Sequence, residues 1–155
     1  MKSFFGGIGV VAAVMAGSAV LATASTPMDS TPQEVVDSRV AGMKSLIGSM
    51  KGASEATDPA VIRDHLAKAI AFAKSIPSKF PKGTGIGDAG VTKTRALQDI
   101  WTKPAEFKAA SNGFVAALEA ASAAAGDAAK FGAAMGGVKK SCGSCHDAFR
   151  GPATE

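Results

Sequence analysis

Apolar residues recur every three or four positions in four stretches of this chain, and most stretches open on a helix-start signal. Thr31-Pro32-Gln33-Glu34 is a capping box with proline at the first helical position. Behind it Val36, Val40, Met43, Ile47 and Met50 form an apolar stripe along one helix face. Asp58-Pro59 repeats the start signal, and Ile62, Leu66, Ala69, Ala73 and Ile76 form the second stripe, which Pro77 ends. A third helix starts near Thr102 to Pro104 and buries Phe107, Phe114, Leu118, Ala121 and Ala125. Asp127 caps the fourth, in which Phe131, Met135, Val138, Cys142, Cys145 and Phe149 share a face before Gly151-Pro152.

Between the second and third helices, Pro77 to Thr94 is rich in proline and glycine and has no period. It reads as a crossover between two helix pairs, since no strand and no P-loop lysine accompany its glycines. Arg95 to Trp101 reads as a short helical turn. Four stripes of this kind predict an all-α fold, an antiparallel four-helix bundle. Helices of about 20 residues would be roughly 30 Å long. The composition agrees: the 155-residue chain has 18 glycines, no tyrosine and only 6% aromatics, which suits helices packed through small side chains.

The first residues read differently. Lys2 precedes a small-residue and apolar run from Phe4 to Ala22, and Ala22-Thr23-Ala24 is an A-x-A cleavage pattern. The chain therefore divides into a secretory signal peptide, residues 1–24, and a helical domain, residues 25–155. The run is just long enough to span a bilayer, so a retained anchor is the competing reading. Cleavage would leave no membrane attachment. It would also remove Lys2 and lower the formal charge of +4 by one. The basic pI is therefore no argument for nucleic-acid binding.

The candidate chemistry lies near the other end, in Cys142-Gly143-Ser144-Cys145-His146. C-x-x-C-H is the attachment pattern for covalent haem c. Two thiols become thioethers on the haem vinyl groups, and the adjacent imidazole becomes an axial iron ligand. On a helix, Cys142, Cys145 and His146 stand at i, i+3 and i+4 and leave one face. A redox disulfide would call for a βαβ pattern, and a zinc site would need ligands beyond His65. Thioether attachment in bacteria takes place in the periplasm, so the export signal and the haem motif support one another.

Only nine residues follow His146, so any sixth ligand must come from upstream. Here the chain resembles the class II c-type cytochromes, the cytochrome c prime superfamily. The resemblance rests on Cys142 through Arg150, on Arg39-Val40-Ala41-Gly42-Met43-Lys44, and more loosely on Phe80-Pro81 through Ile100-Trp101 to Phe107. It implies that Arg39 pairs with a haem propionate and that Met43 faces the distal side of the iron. Helix geometry permits this, because the two stand one turn, about 6 Å, apart on one face.

The family has two branches. In one, a distal methionine closes the site and the protein carries electrons. In the other, the distal site is open, the iron is five-coordinate, and nitric oxide or carbon monoxide binds. Met43-Lys44 with Met50, and Phe80-Pro81, resemble the first branch. The expectation is therefore a periplasmic monohaem cytochrome, not an enzyme, carrying single electrons through His146 and Met43. The five-coordinate gas-binding protein is the alternative. Met50 lies two turns along the stripe, Met135 shares a helix with His146, Met28 is in the tail, and His65 reads as solvent-facing. Lys139, Lys140 and Arg150 suit a redox partner with an acidic patch, and apolar Val35 and Leu46 on the first helix's flank suit a homodimer.

Overall fold

The computed structural model describes residues 30–152, so the signal segment 1–24 lies outside the described residues. The described chain is helical: α1 (Pro32–Glu55), α2 (Pro59–Ser75), a 3₁₀ turn (Ile76–Lys79), a short α3 (Asp99–Thr102), α4 (Pro104–Ala123) and α5 (Ala128–Phe149). The start signals form as the sequence predicts. The Thr31 hydroxyl accepts from Glu34 N, and the Glu34 carboxylate accepts from Thr31 N at 2.7 Å. Those bonds hold the exposed Glu34 carboxyl below its usual pKa. Asp58 accepts from Ala60 N and Asp127 from Lys130 N.

The four long helices pack in sequence order: α1 on α2, α2 on α4, and α4 on α5. The fourth seam, between α1 and α5, is not packed in this way. Leu66 and Leu118 are fully buried at the centre, with Ile62, Ala69, Ala73, Phe114, Ala121 and Val138 around them. The stripes of α2, α4 and α5 thus face inward as expected.

The stripe of α1 needs correction. Val40 and Ile47 are exposed, at 44% and 60%, whereas Arg39, Leu46 and Ala53 are buried. The inward face runs through Val36, Arg39, Met43, Leu46, Met50 and Ala53, rotated by one position from the predicted one. The helix turns this way because a loop supplies hydrogen-bond acceptors for Arg39. A buried guanidinium with partners is tolerable, and Leu46 replaces Ile47 in the core.

Close helix contact sets the α1–α2 seam. A Cβ on Gly42 would come within 2.6 Å of Phe72 Cζ. On Gly52 it would come within 2.7 Å of His65 Nδ1, so His65 is half-buried over α1 rather than solvent-facing. Gly42→Ala should therefore destabilise the protein by about 1–2 kcal/mol, because overpacking outweighs alanine's better helix propensity. Urea unfolding followed by circular dichroism checks this; a variant as stable as the parent would show that Phe72 swings aside without cost.

Candidate functional site

Cys142, Cys145 and His146 stand on the last two turns of α5. Both cysteines are free, half-buried and packed against the edge of the core. Burial pushes both thiols' pKa upward, and for Cys142 the neighbouring Cys145 adds to the rise. They remain neutral thiols near neutral pH rather than thiolates. His146 is exposed at the surface. Partial desolvation lowers its pKa, and the charges of Arg150 and Arg95 lower it further. A neutral imidazole is the form that ligates iron.

Across the unpacked seam, α1 presents Met43 and Met50, both half-buried against the core. One turn before Met43 lies Arg39, only 4% exposed. Its guanidinium donates to Thr84 Oγ1 (3.1 Å), Thr84 O (3.0 Å) and Thr94 Oγ1 (3.0 Å), with Lys79 O at 3.5 Å. It also lies 4.2 Å from the centroid of the Phe80 ring. All these partners are neutral oxygens or an aromatic face. Among the described residues no carboxylate forms an ion pair with Arg39. Burial accordingly lowers its pKa.

The aperiodic loop thus gains its order from what it touches. Gln33 of α1 accepts from Thr92 N, Thr92 Oγ1 and Lys93 N. Phe80 packs edge-on against Phe107, which packs edge-on against Phe149 of α5, with centroids 5.1 and 5.2 Å apart. Trp101 Nε1 donates to Phe80 O at 3.0 Å, so Phe80 and Trp101 pin the loop to α3 and α4. Arg95 to Leu97 is extended rather than helical. It makes an antiparallel bridge with the chain after α5, and the helical turn begins only at Asp99. Sequence reasoning missed Thr84, Thr94 and Arg95 because the loop has no period and these residues act through tertiary partners.

The donor set suits covalent haem. Two neutral thiols one turn apart share a helix face with an adjacent neutral imidazole. The helix across the unpacked seam carries soft apolar side chains and a buried cation without an acid partner.

Comparison with known proteins agrees. The family model described as Cytochrome C′ matches residues 33–150. A cytochrome c′ of Rhodospirillum rubrum is 37% identical over 145 residues, covering 88% of this chain and 95% of the relative. Among solved structures, cytochrome c′ from Rhodobacter spheriodes has a TM-score of 0.72 at 27% identity, covering 80% of this chain and 100% of the other. A nitric oxide complex of a mutant cytochrome c prime from Alcaligenes xylosoxidans has a TM-score of 0.66 at 30% identity, covering 80% and 98%.

These relatives overturn the expectation of electron transfer through a His/Met-ligated haem, and they lend no support to a redox partner. They are cytochromes c′, one of them solved with nitric oxide. Met43 alone does not carry the step to electron transfer, because a methionine on an inward helix face is first a packing residue. Met43 lies against the core, where a flexible thioether fills irregular space.

Proposed function

The chain belongs to the cytochrome c′ family, and from that membership we propose that it binds a diatomic gas, nitric oxide or carbon monoxide, at an open distal site. The family binds covalent haem c, which supplies the iron that takes up the gas. The observation that carries the reading is the match to cytochromes c′ over nearly the whole helical domain, a nitric oxide complex among them.

In this reading each residue has a separate task. Cys142 and Cys145 tether the cofactor through two thioethers, which needs both thiols on one face. His146 provides the single protein ligand, and its lowered pKa keeps the ring nitrogen available. Met43 is an apolar wall on the distal side rather than a ligand. Such a wall offers no hydrogen-bond donor, so it favours small uncharged ligands over anions or polar ones. Arg39 is the buried cation that would pair with a propionate, a charge-assisted bond its neutral loop partners do not provide. The role is binding rather than catalysis.

Residues 1–24 act in this proposal as a cleaved export signal, which makes the protein periplasmic, the compartment of thioether attachment. Among the described residues no helix is long and apolar enough to cross a membrane. Leu46 is buried in the core and Val35 only half-exposed, so the flank first expected to meet a second copy is not free; the exposed Val40 and Ile47 of α1 and Val61 of α2 are the apolar residues that a homodimer would cover instead.

Optical spectra of the purified protein test the assignment. The oxidised iron should be high-spin, and the reduced protein should take up carbon monoxide. Met43→Ala should leave the spin state of the oxidised protein unchanged. A far-red sulfur-to-iron band that disappears in Met43→Ala, with a reduced form indifferent to carbon monoxide, would sink the proposal.

A further inference from the structure

The chain after α5 is tied down tightly. Gly151 N donates to Arg95 O at 2.7 Å, and Arg95 Nε donates back to Gly151 O at 2.7 Å. Leu97 N donates to Phe149 O at 3.1 Å, which completes the antiparallel bridge between Ala96 and Arg150. Ile86 N donates to Ala96 O, so the far side of the loop braces the same strand. Gly151 is buried, and an added Cβ would come within 3.1 Å of Ile86 Cδ1 and 3.3 Å of Leu97 Cδ2. A glycine stands where two chain segments press together.

This clamp closes directly on the turn that carries the iron ligand. Arg150 N donates to His146 O at 2.9 Å, the last hydrogen bond of α5. Helix ends normally fray because their final carbonyls lack partners. Here the residues that would fray are held from outside by a loop that Arg39 and Gln33 anchor on the opposite helix. A partly buried, reciprocal bond pair of this kind orients what it holds, as the outer partners of a metal-ligating histidine do.

We propose that Arg95 is a positioning residue for His146: with Gly151 it locks the last turn of α5 and so sets the direction in which the imidazole meets the iron. The inference rests on the proposed assignment of His146 as the proximal ligand. It makes the loop the part that would control how firmly His146 holds iron. Arg95 touches neither gas nor cofactor in this role. It acts through Gly151 and the helix end.

The experiment uses the full haem-loaded protein and the variants Arg95→Met, Arg95→Gln and Gly151→Ala. Amide hydrogen exchange at Arg150 and Gly151 should rise roughly tenfold in Arg95→Met, since one bond of the pair is lost. Resonance Raman of the ferrous protein should show a shifted or broadened iron–histidine stretch in Arg95→Met and Gly151→Ala. Arg95→Gln, which keeps an N–H donor at the ε position, should restore part of the native frequency. A purely structural clamp would speed exchange and leave the stretch unmoved, and that result overturns the proposal. Should Gly151→Ala fail to fold, Arg95→Met alone decides. A parent protein with no iron–histidine stretch would instead refute the ligand assignment, a failure visible before any variant is made.

Discussion

Replacing both Cys142 and Cys145 by serine should abolish covalent haem altogether. The chain has two cysteines and both lie in the motif, so no other thiol can substitute. They occupy neighbouring places one turn apart on α5, half-buried against the core, where a thioether bond would be shielded. Serine has nearly the same size and leaves the helix intact. The expected loss is therefore chemical rather than a consequence of misfolding. Acid–acetone extraction should remove all haem from the double variant and none from the parent, and haem staining on a denaturing gel should vanish. Haem that resists extraction from the double variant would refute the attachment site. Since a ligand held only by the native state stabilises it, the haem-free variant should also melt below the loaded parent.

Arg39→Leu should cost about 3–5 kcal/mol of stability, the range for breaking a buried charged network. That is roughly 10–20 °C in melting temperature for a domain of this size. The guanidinium is 4% exposed and holds Thr84 and Thr94 through three hydrogen bonds of 3.0–3.1 Å. Leucine fills some of the volume but strands Thr84 O, which then has no donor within the fold. The Phe80 ring also loses the cation above it. Because the loop from Phe80 to Gln98 is anchored here, its amides should exchange faster than those of α2 and α4. Thermal unfolding of the haem-loaded protein measures the first effect and hydrogen exchange the second. A melting point within a few degrees of the parent would mean that the loop is held by its other contacts and that Arg39 is incidental.

The first helix shows how far the pattern alone could be read. Val36, Met43 and Met50 belong to both the predicted and the observed stripe. What separates the two is Val40 with Ile47 against Arg39 with Leu46. Apolarity favours the former pair of positions, since an arginine on an inward face carries a desolvation cost. Only the acceptors of Thr84 and Thr94, some 45 and 55 residues away, reverse that preference. No local rule could anticipate it, because the compensating groups lie in a segment without periodicity. The same segment explains the misreading of Arg95 to Leu97. Its extended form is fixed by pairing with residues 149–151, not by its own propensity.

Methionine 43 marks a second limit. Its place on the inward face one turn after Arg39 was legible from spacing, but spacing cannot distinguish a ligand from packing. Membership of the cytochrome c′ family overturned the electron-transfer function that was built on this methionine.

By itself, the sequence determined the four helices, the caps of α1, α2 and α5, most of the core and the haem motif. Each of these depends on residues close together in the chain: a hydroxyl three positions from an amide, apolar groups every three or four positions, two thiols one turn apart. The tertiary structure alone decided which way α1 faces, how the loop crosses from Arg39 to Gly151, and what restrains the turn bearing His146. Those outcomes depend on hydrogen bonds and contacts between residues dozens of positions apart, whose partners exist only once the helices have packed.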